Sequence, residues 1–394
     1  MLIDFRSVSR LLLCGLCLSA PVPSGAWPEL DIHGALAQGY LRSYGNSVRP
    51  DSEEGTADFR EVVVNGRSLI GGKVLLSGQL IALSDGAADD GKLRLDYLQL
   101  DYLRMLTEHA GVGLRLGRVK NPYGLYNSTR DVVFSRPSII MPTSVYYAGA
   151  GLRNLFFSND GAQLYALHNG QRFTQDWIVG IARGDSVAKQ LRTAVAPATS
   201  TGPIDVSGFF TAQWLIENAS GRGFRGGLSY LGADAAYRST GEPGDLPSTH
   251  LDADIGVASA QWREQDYTIT AEYRYSRLNI ETAGFPSRQR SEGAYVQWRG
   301  MLNPRWEIYA RYDWSVLDSR DRDGRDYASQ TGRPRHERFS RDVTLGLSFA
   351  PTASWGAFAE WHGIDGTADA ARSSDGEPGE RRWQVLYLML AYRF

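Results

Sequence analysis

Trp306-Glu-Ile-Tyr-Ala-Arg-Tyr-Asp-Trp314 sets Trp306, Ile308, Ala310, Tyr312 and Trp314 on one side of an extended chain and Glu307, Tyr309, Arg311 and Asp313 on the other. Successive side chains of a strand point to opposite faces, so one face is apolar and the other is charged. The apolar face begins and ends in tryptophan. Eight steps of about 3.3 Å separate those rings by about 26 Å along the strand, and a tilt near 40° reduces this to roughly 20 Å of height. Aromatic residues therefore fall where the two interfaces of a membrane would lie. In a soluble sandwich the apolar face would turn inward and the charged face outward; here the apolar face ends in the rings that suit a lipid boundary.

The same alternation recurs in Tyr267-Thr-Ile-Thr-Ala-Glu-Tyr-Arg-Tyr275, Val343-Thr-Leu-Gly-Leu-Ser-Phe349 and Trp355-Gly-Ala-Phe-Ala-Glu-Trp361. Strand cores are expected at 31–42, 58–68, 72–83, 93–103, 111–118, 160–168, 176–183, 207–217, 223–232, 251–262, 266–275, 292–300, 304–314, 341–350, 353–362 and 382–394. Long connections at 43–57, 119–159, 184–206, 233–250, 276–291, 315–340 and 363–381 alternate with tight turns such as Arg263-Glu-Gln-Asp266, Met301-Leu-Asn303 and Pro351-Thr352. Transmembrane barrels have this asymmetry of short and long connections, and soluble sandwiches have no reason to keep it through so many hairpins. The chain is therefore expected to be all-β, a transmembrane antiparallel β-barrel of about 16 strands. The final strand, Trp383-Gln-Val-Leu-Tyr-Leu-Met-Leu-Ala-Tyr-Arg-Phe394, puts Leu386, Leu388, Leu390, Tyr392 and Phe394 on one face. It must pair with the first strand, because an open edge in lipid leaves N–H and C=O groups unpaired.

Composition sets further bounds. Arg6 and Arg10 precede the apolar run Leu11 to Ala20, then Pro21, Pro23 and the small residues Ser24, Gly25 and Ala26. This reads as a secretory signal over residues 1–26, leaving a barrel over 27–394. Cys14 follows Leu13 and Cys17 follows Leu16, so neither has the small preceding residue of a lipoprotein signal. Both of the chain's cysteines lie in this segment, which leaves the barrel neither disulfides nor thiolate metal ligands. A net charge of −2 argues against a nucleic-acid partner. The six histidines, His33, His109, His168, His250, His336 and His362, have no metal-ligand spacing. No P-loop or nucleophile-elbow motif is present, and no cofactor is expected. Asp51 to Glu54 and the run from Asp318 to Asp326 read as solvated outer loops.

The connection 119–159 follows the fifth expected strand and is therefore the third external loop; it is rich in Tyr, Phe, Ile and Pro, so it is expected to pack rather than to wave in solvent. Folded into the lumen, it would narrow it. From Arg118 to Arg153 it carries Arg118, Lys120, Arg130, Arg136 and Arg153 against the single acid Asp131. Rings of fixed cations favour anions, while the same charges could serve only to tie the loop to the wall. On the wall, strand parity aims Glu272, Arg274, Arg299, Glu307, Arg311 and Asp313 inward. These could line the pore or neutralise one another.

The strand count, the long third loop and the segment Gly117-Arg-Val-Lys-Asn-Pro-Tyr-Gly124 resemble the Gram-negative outer-membrane porins across essentially the whole barrel. Through that short segment alone the chain resembles the phosphate-selective porins. The porin resemblance implies an outer-membrane location among lipid and lipopolysaccharide, passive diffusion of small polar or anionic solutes, a folded-in third loop and a homotrimer. The pore-lining candidates are then Arg118, Lys120, Arg130, Asp131, Arg136, Arg153, Arg274, Arg299, Glu307, Arg311 and Asp313. Two other readings remain open from the residues: a barrel enzyme of the lipase or protease type, for which Ser128 or Ser138 would need a histidine and an acid, and a closed structural or adhesive barrel.

Overall fold

The computed structural model describes residues 29–49, 51–84, 91–146, 158–188, 202–283, 285–369 and 378–394. Its strands are β1 (Leu30–Tyr44), β2 (Thr56–Ile70), β3 (Val74–Ser84), β4 (Arg94–Met105), β5 (Ala110–Lys120), β6 (Ser158–Asn169), β7 (Phe173–Ala182) and β8 (Ile204–Asn218). They continue as β9 (Gly223–Tyr237), β10 (Thr249–Arg263), β11 (Tyr267–Thr282), β12 (Phe285–Asn303), β13 (Trp306–Val316), β14 (Phe339–Phe349), β15 (Trp355–Gly366) and β16 (Arg382–Arg393). Each strand pairs with its neighbour in sequence, and β1 pairs with β16 to close a barrel of 16 strands. The closing seam runs in antiparallel register from Ala35↔Arg393 to Tyr44↔Gln384. Beyond it, Gly34 and Phe394 exchange two N–H···O bonds of 3.1 Å. No edge is left open along this seam, so the ladder needs no water inside lipid.

The alternation read from sequence sets which side chains face out. On β13, Trp306 and Tyr312 are exposed while Tyr309, Arg311 and Asp313 are buried inside. On β16, Leu388, Leu390 and Phe394 are exposed. Ring pairs join neighbouring strands at one rim, Trp306 stacked on Phe349 at 4.4 Å and Trp355 tilted against Tyr392 at 5.0 Å. Such an outward belt marks a membrane interface. No described helix is long and apolar enough to cross a membrane. The two short helices named here are α1 (Thr143–Tyr146) and α2 (Arg325–Thr331).

The tight turns and long connections alternate as expected, with one difference. The connection expected over 276–291 is strand: β11 and β12 stay in register from Tyr267↔Gly300 to Thr282↔Phe285. Alternate polar residues do not break a ladder whose hydrogen bonds are made by backbone alone. The turn is accomplished at Ala283, where φ is 50°. The expected signal over 1–26 lies outside the described residues.

The interior is not simply polar. Leu231, Ala233, Ala235, Ile255 and Val257 form an apolar inner wall on β9 and β10, joined by Tyr123, Leu125, Met141 and Val145. Another cluster joins Leu41, Phe59, Val385, Tyr387 and Met389 of β1, β2 and β16 to Val133 and Ile139. Both clusters recruit residues of the third connection.

Candidate functional site: the third loop and the inner wall

Most residues from Asn121 to Tyr146 are buried, with Ser128, Thr129 and Ser135 exposed. The first anchor begins at Gly124, whose φ of 56° is one that L side chains rarely adopt. An added Cβ there would collide with the Tyr146 hydroxyl. The Gly124 N–H donates to Ser229 Oγ at 3.1 Å, and Gln213 Nε2 donates to the Gly124 carbonyl at 2.9 Å. These contacts fix the loop against β8 and β9.

Next in the chain, Leu125 N donates to Glu272 Oε1 at 2.9 Å. The same carboxylate accepts from Tyr146 at 2.7 Å, Tyr295 at 2.6 Å and Ser259 at 2.6 Å. One buried acid of β11 thus gathers both ends of the loop and two neighbouring strands. Tyr123 donates to the Val145 carbonyl at 2.9 Å. Burial pushes the Tyr123 phenol up to about 12. Burial, with the Glu272 charge beside it, holds the Tyr146 phenol well above its ordinary value. Both therefore remain donors at neutral pH.

A second anchor lies on β13 and β15. Glu360 accepts from the backbone N–H groups of Ile139 at 2.7 Å and Ile140 at 3.2 Å, and from Tyr309 at 2.5 Å. His362 Nε2 lies 2.7 Å from Glu360, and its Nδ1 lies 2.6 Å from Asp342. Arg311 donates to Ser138 Oγ at 2.7 Å and to the Ile140 carbonyl at 3.1 Å. Gln297 of β12 donates to the Pro137 carbonyl at 2.8 Å. A third anchor is Arg136, which donates to Glu61 of β2 at 2.8 Å. In a ring of 16 strands β2 and β9 stand nearly opposite one another, and the same loop is bonded to both.

The described residues expected to line a pore are held as ties rather than as a row of free charges, except Arg118, which the register sets on the outward face instead. Lys120 sits between Asp96, at 2.8 Å, and Asp131. Arg130 is buried, donates to the Tyr146 carbonyl at 3.3 Å and lies over the Tyr146 ring. Arg136 is held by Glu61. Arg274 donates to the Ser144 carbonyl at 2.6 Å and so clamps α1. Arg299 pairs with Glu307 at 2.7 Å, both partly exposed. Arg311 lies 3.9 Å from Asp313 and 4.0 Å from Glu360. Arg118 pairs in register with the outward Leu98; its guanidinium bonds the Asp96 carbonyl at 3.0 Å and reaches Asp160 at 3.4 Å. Arg153 lies outside the described residues.

Three acids that organise this arrangement, Glu61, Glu360 and Asp342, were not among the candidates. For Glu61 and Glu360 the signal is an inward acid between apolar or aromatic inward neighbours, Phe59 and Val63 for the first and Phe358 and His362 for the second, whereas Asp342, between Ser340 and Thr344, carries no such signal. Such an acid cannot remain buried without donors: the loop backbone serves Glu360, and the Arg136 side chain of the loop serves Glu61. Between the loop and the wall of β3 to β9 remains a cavity of about 360 Å³, lined by Ser77, Gln99, Arg115, Gln163, Gln213 and Arg225 among others. Liquid water takes about 30 Å³ per molecule, so this space suits about a dozen waters or a small polar solute. Among the described residues no group of histidines, cysteines and acids could hold a metal.

No family model and no curated relative matches the sequence. Solved structures do match, and over nearly the whole chain. The outer-membrane channel DcaP of Acinetobacter baumannii is 14% identical with a TM-score of 0.61, covering 95% of this chain and 100% of its own. An anion-selective porin from Comamonas acidovorans is 10% identical with a TM-score of 0.58, covering 93% and 100%. OmpT, an outer-membrane protein of Vibrio cholerae, matches in a trimer form at 11% identity and a TM-score of 0.54, covering 93% and 99%. At such identities the likeness is one of fold: this chain has the architecture of the outer-membrane porins.

Proposed function

We propose that this porin-fold barrel is an outer-membrane channel for passive diffusion of small polar solutes, with its bore set by the segment from Asn121 to Tyr146. The observation that carries the reading is the set of anchors from one loop to β2, β9, β11, β13 and β15, which is what a constriction held inside the lumen requires. The polar lining of the remaining cavity favours solutes that hydrogen-bond. Selectivity between ions has less to rest on than the loop's composition suggests, because Lys120, Arg136, Arg299 and Arg311 each face a carboxylate. Size is the stronger filter. In this reading residues 1–26 direct export, residues 27–394 form the barrel, and three copies assemble, as in the trimer form of the Vibrio protein.

A hydrolytic role finds no support in the described residues. His362, the histidine most fully engaged with acids, has both ring nitrogens taken by carboxylates and is buried, so it has no lone pair to offer a serine. Liposomes carrying the purified protein should swell in small sugars and progressively less as sugar size rises. Swelling that is absent for every solute, with the protein folded, would leave the closed structural barrel as the better reading.

A further inference from the structure

The cavity of about 360 Å³ between loop and wall lies on the side of the short turns, with Ser77 near the start of β3 and Arg225 near the start of β9. Its donors are held in fixed orientations. Tyr165 donates to Asp101 Oδ1 at 2.6 Å, and Arg115 Nε donates to Oδ2 of the same carboxylate at 2.9 Å. The Arg115 guanidinium lies over the Tyr165 ring, 4.4 Å from its centroid. Gly113 makes room for that ring, since an added Cβ would stand 2.1 Å from it. Arg225 likewise meets its acid, Glu217, through Nε, at 3.5 Å. Both arginines line the cavity, and among the described residues no acid accepts a hydrogen bond from the terminal nitrogens of either.

The acceptors come from two buried glutamines. Gln163 Nε2 donates to the Lys120 carbonyl at 2.6 Å, and Gln213 Nε2 donates to the Gly124 carbonyl at 2.9 Å. A carbonyl takes only a donor, so each amide turns its nitrogen to the loop. Each Oε1, with no described donor, is left to the cavity that these residues line. Gln99 and Ser77 line it too, and their side chains make no described hydrogen bond. Ile178 and Leu215 add an apolar stretch.

Charge narrows what fits. Asp101 and Glu217 offset the two arginines, Asp96 and Asp131 flank Lys120, and Arg263 shares Glu217 at 2.8 Å. Asp176, across the ladder from Leu215, adds a negative charge within electrostatic reach of both arginines. There is thus no excess of positive charge to draw an anion. No described Asp or Glu lines the cavity, so an ammonium finds no partner there. A hydroxyl can do both things the lining asks, donating to a glutamine oxygen and accepting from a guanidinium. The C–H face of a ring suits Ile178 and Leu215.

We propose that this cavity is a saturable binding site for a neutral sugar of hexose size. The proposal rests on the channel reading, in which the cavity lies on the solute's path, and adds a binding step to it.

The test pairs a binding readout with a conduction readout on the full chain. Saturation-transfer NMR on the detergent-folded protein uses glucose, gluconate and glucosamine, which share a carbon skeleton and differ in charge. Glucose should saturate at the lowest concentration, and in planar bilayers it should reduce ion current over the same range. Arg225→Met, which leaves Glu217 to Arg263, should weaken glucose binding roughly tenfold, and Gln99→Leu a few-fold. Lys73→Gln, on the exposed turn before β3, should change nothing, and heat-modifiable gel mobility checks that each variant folds. Tighter binding of gluconate would mark an anion site and tighter binding of glucosamine a cation site, and either would overturn the proposal. So would glucose affinity unchanged in both cavity variants. Saturable binding without conductance would keep the site and remove the channel; conductance without saturable binding would keep the channel and overturn the site.

Discussion

Glu272 accepts hydrogen bonds from Leu125, Tyr146, Tyr295 and Ser259, and it is buried where water cannot replace it. Glu272→Ala strands those donors at about 1–3 kcal/mol each for any that finds no new partner. The loop should then detach from β11 while the backbone ladder persists, and single-channel records should show larger, noisier openings than the parent. Asp369 supplies a test by pH. Burial pushes its carboxyl above the ordinary 3.8, although Ser315 and Thr143 donate to it. A folded carboxyl raised above its unfolded value opposes folding while charged, and that cost fades as pH falls through the folded value towards the unfolded one. Asp369→Asn should therefore raise the thermal midpoint most at neutral pH, with the advantage shrinking towards about pH 4. A constant advantage at every pH would contradict the assignment. The inward orientation of Arg299, Glu307, Arg311 and Asp313 was legible from alternation alone. Their partners across the lumen were not, because a bond such as Arg136 to Glu61 joins residues 75 apart that no local pattern relates.

At the scale of elements, β16 is apolar on both faces. Its outward face, with Leu388 and Leu390, is legible from the alternation of the sequence. Its inward face, Trp383, Val385, Tyr387, Met389 and Ala391, is equally apolar, and a water-filled lumen would not tolerate that. The explanation lies in Val133 and Ile139 of the third loop, which cover it. The long β11–β12 hairpin is not legible in the sequence for the opposite reason: its outer half lacks apolar alternation, and only backbone pairing defines it. Helix α1 offers a test at this scale. It rests on Gly293 of β12, where an added Cβ would stand 2.5 Å from the Ser144 carbonyl. Gly293→Leu should push α1 off the wall and break the Arg274 clamp. The β12 ladder, made by backbone, should survive. Accessibility of a cysteine placed at Ser144 to a membrane-impermeant reagent should rise several-fold in that variant, whereas unchanged labelling would mean that α1 does not depend on this contact.

For the whole molecule, closure and strand number followed from the alternation of turns and loops, and the ring that results puts β2 and β9 on nearly opposite sides. The third loop is bonded to both, and in the proposed channel the bore would depend on this segment. The loop packs into two apolar clusters on different walls, which holds it in place at both. The direct measurement is single-channel conductance in planar bilayers of the parent chain and of a variant in which residues 125–145 are replaced by a short Gly-Ser linker. The parent should give small, discrete steps and the variant steps several-fold larger. Equal steps in the two, or no steps in either from correctly folded protein, would contradict the assignment of this barrel as a channel narrowed by its third loop.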